Sequence, residues 1–340
     1  MKNSDGAYLE NKSIPKVSVI MSVFMTDNNY LKEAIDSIIR QTFDEWEFII
    51  VDDGCDLETK KLLNSYKDTR IRKVINDENV GLTKSLNRAI KLAKGEYIAR
   101  MDADDVSEPT RLEKSLGYLQ EHPNVNILGT YSRYGRRIEK SYGSISHEAR
   151  RALFLIDNAG PVHSSVIIRK SFLDDNNLLY DEQFRKAQDY ELWSRCIELT
   201  DIFIYPECLQ IYRIHDKQIS SASHEEQDEC ATRVRARLLA DLDDTMTNSE
   251  IMSFVQSRKK ATIPFETYKK MVKQFMDSNL SKQKYDTMWL DYVMNWYLLK
   301  FIKNNMSGVT LLVELIRTLF DKQFINYIKG SVCIMISKTV

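Results

Sequence analysis

Compact apolar runs and helical periodicities alternate along the first hundred residues. Residues 17–24, 46–51 and 71–75 read as buried strands, and a further strand runs from Tyr97 into Asp102. Between them, residues 30–40, 57–66 and 82–93 carry apolar positions at helical spacing. Four βα units in succession predict an α/β fold with a mostly parallel sheet flanked by helices on both faces.

The rhythm then changes. Pro109 is predicted to open a helix running to about residue 121, since its missing N–H would be unpaired there anyway. Segments 125–131, 162–168, 202–205 and 209–213 read as further strands, with helices at 147–155 and 188–199. From about residue 225 the signal is almost wholly helical, with helices expected at 233–241, 265–276, 288–302 and 311–320. The reading is a polar lead (1–15), an α/β domain (16–222, with halves 16–105 and 106–222) and a helical C-terminal region (223–340). Ser220-Ser221-Ala222-Ser223 marks the hinge between the last two, and no repeat or low-complexity tract interrupts them.

Composition narrows the function classes. With 48 basic and 49 acidic residues, the 340-residue chain has a formal net charge of −1 and offers no global attraction to nucleic acid. Any anionic ligand must be bound locally. Five cysteines without a CxxC pair argue against a disulfide framework or a zinc cluster and predict a reducing compartment. Residues 1–16 lack the apolar core of a signal peptide, and no apolar run approaches the roughly 18 residues of a membrane span. The expected location is the cytoplasm.

The chemistry concentrates at strand ends. Tyr97-Ile98-Ala99-Arg100-Met101 breaks into Asp102-Ala103-Asp104-Asp105, and the second strand ends in Asp52-Asp53-Gly54. Hard cations such as Mg²⁺ and Mn²⁺ prefer oxygen ligands, and ligand crevices of open α/β sheets lie outside the carboxyl ends of the strands. The same acidic pattern recurs at Asp241-Leu242-Asp243-Asp244, but there it follows a strong helix former and reads as a solvated helix end. Two unrelated acidic turns remain the bland alternative for the strand-end clusters, because Asp and Gly dominate turns.

Several segments together resemble the family 2 glycosyltransferases of GT-A fold, which move a sugar from a nucleoside diphosphate to an acceptor with inversion. Those segments include Val17-Ser18-Val19-Ile20-Met21, Gln41-Thr42-Phe43, Ile50-Val51-Asp52-Asp53-Gly54, Asn79-Val80-Gly81 and Ala93-Lys94-Gly95-Glu96-Tyr97-Ile98. Asp102-Ala103-Asp104-Asp105, Pro109-Thr110-Arg111-Leu112, Gln188-Asp189-Tyr190 and Tyr212-Arg213-Ile214-His215 complete the set. The resemblance covers roughly residues 16 to 220.

The resemblance implies a Rossmann-like mixed sheet of GT-A type and assigns roles. Ser22 and Asp53 would line the base pocket, with Asp53 accepting from the uracil imide of a UDP-sugar; a turn or cap role is the plain alternative. Asp102 would lie near the ribose or the metal, and Asp104 would ligate Mn²⁺ or Mg²⁺ on the diphosphate, with Asp105 behind it. His215 is a candidate third ligand, and Arg213, Lys84 and Arg111 are candidate phosphate contacts, the last two equally readable as exposed helix charges. Asp189, at a helix start that favours a carboxylate, is the expected general base. The family usually has Glu-Asp there; Gln188 replaces the first acid and, with His163, is placed on the acceptor side.

These roles predict an inverting transferase acting on a glycan or lipid-linked saccharide in cell-surface polysaccharide assembly: capsule, O-antigen or exopolysaccharide. Two rivals remain. A nucleotidyltransferase would carry a Gly-rich loop after the first strand, and Ser22-Val23-Phe24-Met25-Thr26 has no glycine. A noncatalytic sugar-nucleotide or glycan-binding protein on the same fold is made possible by Gln188, and intact Asp53, Asp102, Asp104 and Asp189 count against it. In the tail, Trp289, Tyr292, Trp296, Tyr297, Phe301, Leu311, Leu312, Leu315 and Phe320 predict helices that pack or dimerise, or else lie on an anionic membrane surface.

Overall fold

The computed structural model describes residues 14–143, 145–215, 224–308, 310–311, 313–314 and 329–334. The first half alternates strand and helix: β1 (Val17–Val23), α1 (Asn28–Ile39), β2 (Trp46–Asp52), α2 (Leu57–Ser65), β3 (Ile71–Ile75), α3 (Leu82–Leu92) and β4 (Tyr97–Arg100). Next come β5 (Val106–Ser107), α4 (Arg111–Glu121), β6 (Ile127–Tyr134), β7 (Arg137–Glu139) and α5 (His147–Leu153). A 3-10 turn (His163–Ser165) leads to β8 (Ile167–Arg169), α6 (Lys170–Asp175), α7 (Gln188–Cys196) and β9 (Ile202–Tyr212). Four helices follow: α8 (His224–Leu242), α9 (Asn248–Ser257), α10 (Phe265–Lys282) and α11 (Thr287–Asn305).

The described strands form one mixed nine-stranded sheet in the order β3-β2-β1-β4-β8-β6-β9-β5, with β7 on β6. Parallel pairing joins β1 to β2 and β4, β2 to β3, and β6 to β9. The antiparallel β8 sits between β4 and β6 and joins the two halves. This is the predicted α/β sheet with helices on both faces. Alternation along β1 sorts its side chains: Val17, Val19, Met21 and Val23 pack with α1 and α4, while Ile20 faces α3 and the larger core. Gly95 lets the chain entering β4 pass against β1, since a Cβ there would lie 2.5 Å from the Ser18 nitrogen.

Several segments differ from the expected pattern. The predicted strands 202–205 and 209–213 merge into a single strand, β9, which ends at Tyr212, because the break at Pro206 is absorbed as a register shift against β6. Pro109 lies ahead of its helix, which starts at Arg111. The first part of segment 162–168 is the 3-10 turn, where Val162 O accepts from both the amide and the hydroxyl of Ser165. The proposed hinge at 220–223 and, within the predicted helix 311–320, residues 312 and 315–320, which include Leu312, Leu315 and Phe320, fall outside the described residues.

The C-terminal helices share the larger core. Trp289, Tyr292, Tyr297 and Phe301 are buried, and the Tyr297 hydroxyl donates to Leu155 O at 2.7 Å, just beyond α5. The aromatic side of α11 is therefore spent on intramolecular packing. Among the described residues, no helix is long and apolar enough to cross a membrane.

Candidate active site

The sheet ends where its acids begin. After β4 the chain turns through Asp102, Asp104 and Asp105, each held differently. Asp105 is fully buried and accepts from the Ser164 hydroxyl (2.5 Å), the Arg213 amide (3.1 Å) and Gln210 Nε2 (3.4 Å). It thereby ties the β4 loop to the 3-10 turn and β9, and burial, with Asp102 adding to it, pushes its carboxyl up to about 7. Asp104 Oδ2 lies 3.0 Å from His215 Nε2. Burial and then Asp102 raise the Asp104 carboxyl above the usual range, while His215 draws it back. Asp102 is ion-paired with Arg100, whose side chain is only 3% exposed.

Asp53, at the end of β2, is 1% exposed and accepts four hydrogen bonds. Asn76 Nδ2 (2.7 Å) and the Val80 amide (2.9 Å) reach Oδ1; Asn79 Nδ2 (3.1 Å) and the Gly81 amide (2.9 Å) reach Oδ2. Two donors per oxygen use the carboxylate's ordinary acceptor capacity. Asp53 thus clamps the loop between β3 and α3. Gly54 makes this close approach feasible: its φ is +82°, and a Cβ would sit 2.8 Å from the Asn79 nitrogen.

Across the sheet, Asp189 occupies the first turn of α7, which starts after Ala187 in the left-handed region (φ 51°). Asn158 Nδ2 donates to Asp189 Oδ2 at 2.8 Å. Burial raises the Asp189 carboxyl, opposed by the Tyr190 amide, Arg100 and Asn158. His163 Nε2 lies 2.6 Å from the Tyr180 hydroxyl, and burial followed by the charge of Arg100 holds its imidazole well below the usual histidine range.

A single cleft of about 820 Å³ brings Asp102, Asp104, His163, Gln188 and Asp189 together. Ser22, Asp53, Lys84, Arg213 and His215 are outside its lining. Ser22 is half-buried on β1 opposite Val51 of β2. Lys84 is exposed on the first turn of α3. Arg213 pairs with Glu33 and lies over the Tyr30 ring, 4.8 Å from its centroid. Arg111, read as an exposed or phosphate-facing charge, is instead fully buried and donates to Arg100 O at 2.8 Å, a structural brace beneath the acidic loop.

A profile for "Glycosyl transferase family 2" matches residues 18–176. An uncharacterized glycosyltransferase of Haemophilus influenzae is 30% identical over 327 residues, spanning 88% of this chain and 99% of that one. This chain belongs to glycosyltransferase family 2. Uncharacterized glycosyltransferase MJ1057 of Methanocaldococcus jannaschii is 33% identical over 211 residues, 60% of this chain and 72% of its own. Among solved structures, TarS 1-349 of S. aureus in complex with UDP-GlcNAc aligns with a TM-score of 0.59 at 18% identity, covering 89% of this chain and 91% of that one. Mannosyltransferase PcManGT of Pyrobaculum calidifontis, in complex with GDP-Man and Mn²⁺, aligns at 0.53 and 14% identity over 96% and 86% of the two chains. At these identities the likeness is one of fold: a GT-A type α/β sheet with a C-terminal helical region.

For this family 2 glycosyltransferase, the cation chemistry can be tested against its own donors. No cluster of three or more metal-ligating side chains occurs among the described residues. Asp104 and His215 nevertheless fit a two-ligand site: their donor atoms are 3.0 Å apart, close to the edge of an octahedron with ligands at about 2.0–2.1 Å. Such an ion takes its remaining ligands from water and substrate phosphates. Asp102 is the less available carboxylate, because Arg100 already neutralises it.

Sequence reasoning passed over Arg100 and Asn158, both in the cleft wall. Arg100 carried a signal, since a charge inside an otherwise apolar strand needs a partner, and Asp102 stands two residues on. Asn158 carried none: its meaning depends on α7 folding back to meet it.

Proposed function

We propose that this glycosyltransferase uses a UDP-sugar to glycosylate, with inversion, a hydroxyl of a glycan or lipid-linked saccharide in the assembly of a cell-surface polysaccharide such as capsule, O-antigen or exopolysaccharide. The observation that carries the reading is the shared cleft, with Asp104 at one end of its chemistry and Asp189 at the other. An inverting displacement needs both a group to stabilise the departing diphosphate and a base on the opposite face of the sugar.

Asp189 takes the proton of the acceptor hydroxyl. Burial raises its carboxyl above the usual carboxylate range, which strengthens it as a base. Asp104 and His215 would hold Mn²⁺ or Mg²⁺, with Asp102 beside them and its charge shared with Arg100. Such an ion supplies Lewis-acid stabilisation of the leaving nucleoside diphosphate. Asp53 supports the nucleotide by holding the Asn79–Gly81 loop in place, with Ser22 beside it at the end of β1. Lys84 and Arg213 complete the proposed nucleotide side, and Gln188 and His163 the acceptor side.

The test is UDP release from UDP-glucose, UDP-galactose and their N-acetylamino forms with Mn²⁺, across a panel of saccharide acceptors. Metal-dependent release, lost in both Asp104→Ala and Asp189→Ala, supports the assignment. Transfer from GDP-mannose but from none of the UDP-sugars overturns the donor assignment.

A further inference from the structure

We infer that Asn158 is a positioning residue that holds the Asp189 carboxylate in the orientation from which it collects the acceptor proton. The inference rests on the proposal that Asp189 is the base. The Asn158 amide is held at both ends: its Oδ1 accepts from the Gly160 amide (3.1 Å), and its Nδ2 donates to Asp189 Oδ2 (2.8 Å). Only one orientation of the side-chain amide satisfies both neighbours. An N–H fixed on Oδ2 stops the carboxylate from rotating freely and stabilises its charged form.

The segment carrying Asn158 is anchored to the elements around it. The Asp157 amide donates to Leu153 O (2.9 Å) at the end of α5, and the Tyr142 hydroxyl donates to Asp157 Oδ2 (2.7 Å). The Asn158 amide donates to Asp157 Oδ1 at 2.9 Å. Gly160 packs against the indole of Trp193, one turn along α7 from Asp189; a Cβ there would overlap Cδ1 and sit 2.7 Å from Cγ. Thus the segment and the helix bearing the base meet in van der Waals contact, and the 2.8 Å hydrogen bond is set by packing that neither residue supplies itself.

The reaction is balanced through this pair. The acceptor O–H proton passes to the Asp189 carboxylate as the acceptor oxygen bonds to the anomeric carbon, and the bond from that carbon to the phosphate oxygen breaks, its electron pair leaving with the nucleoside diphosphate. Asn158 keeps the base ionised and turned toward the acceptor. Arg100 from β4 also favours the carboxylate. Asp157, His163 and Lys186 line the same cleft, and Tyr180, kept neutral by burial, interacts with Asp189.

The experiment compares Asn158→Ala, Asn158→Asp and Asp189→Ala with the wild-type chain, using the UDP-sugar with the highest release rate in the panel above. It reads kcat, acceptor KM and the pH profile of kcat/KM, with thermal melting alongside. Asn158→Asp is the deciding variant, because its Oδ1 still accepts from Gly160 while the donor toward Asp189 becomes an acceptor. The expected result is a kcat loss of about tenfold or more, acceptor KM within about twofold, and an acid limb displaced to higher pH, furthest in Asn158→Asp. Wild-type kcat and an unmoved acid limb in Asn158→Asp, with Asp189→Ala inactive, overturn the inference and leave the base assignment standing. A raised acceptor KM with an unmoved acid limb also overturns it, by making Asn158 a substrate contact. Full transfer by Asp189→Ala overturns the base assignment and this inference together.

Discussion

His215 Nε2 and Asp104 Oδ2 face each other at 3.0 Å, joining the chain beyond β9 to the loop after β4 across 111 residues of sequence. Neither residue is informative alone. Together they set a nitrogen and an oxygen close enough to share one coordination edge, beside a second carboxylate, Asp102, that is already paired with arginine.

Replacing Asp104 by Ala is expected to lower Mn²⁺-dependent transfer by about 100-fold or more, because leaving-group stabilisation of several kcal/mol is at stake. His215→Ala is expected to raise the Mn²⁺ concentration for half-maximal rate by about tenfold, equivalent to about 1.4 kcal/mol. Initial rates across a Mn²⁺ titration read both. An unchanged titration in His215→Ala would remove it from the ligand set.

Asp53→Asn should destabilise the chain by about 1–3 kcal/mol, since an amide offers one acceptor oxygen where Asn76, Asn79, Val80 and Gly81 supply four donors. Thermal melting, with calorimetric titration of UDP and Mn²⁺, tests it. Weaker UDP binding together with a lower Tm fits loop support. Weaker binding at unchanged Tm would instead make Asp53 a direct contact of the base.

Gly160→Ala should cost about 1–3 kcal/mol through overpacking on Trp193. The added methyl also pushes the 157–161 segment away from α7. Transfer should therefore fall further than the loss of folded protein explains, a comparison made at a temperature where both proteins are fully folded.

His163 makes stability sensitive to mild acid. Its imidazole stays neutral in the fold, because burial holds it well below 6.5, whereas the unfolded chain takes up the proton near pH 6.5. Its contribution is therefore complete above about pH 6.5 and declines as pH falls toward the folded value. The Tm of the wild-type chain should drop more between pH 7.5 and 5.5 than that of His163→Gln, which keeps a partner for Tyr180 but cannot take a proton. Equal drops would mean that His163 charges freely within the fold.

Much of this architecture can be read from the chain. The strands at 17–23, 46–52 and 71–75 and their helices follow from periodicity, because each buries one face against a neighbour adjacent in sequence. Legibility falls where partners are remote. Pro206 looks like a strand break because its lost donor is visible in sequence, while the register shift that accommodates it against β6 is not. α9 went unread because its polar N-terminal turn masks an apolar face completed by Ile251, Phe254 and Val255. In the site, Asp53 was legible as an important carboxylate, but its four donors come from a loop whose approach depends on Gly54 and the β2–β3 pairing.

The hydrogen bond from Tyr297 to Leu155 O has a practical corollary for exchanging parts between relatives. Leu155 lies two residues before Asp157, so the last helices buttress the segment that carries Asn158. A chimera joined near residue 222 would inherit that segment without the helices it packs on. A graft meant to alter acceptor preference should carry residues 147–161 together with α10 and α11 as one unit, although residues 162–264 lie between the two pieces.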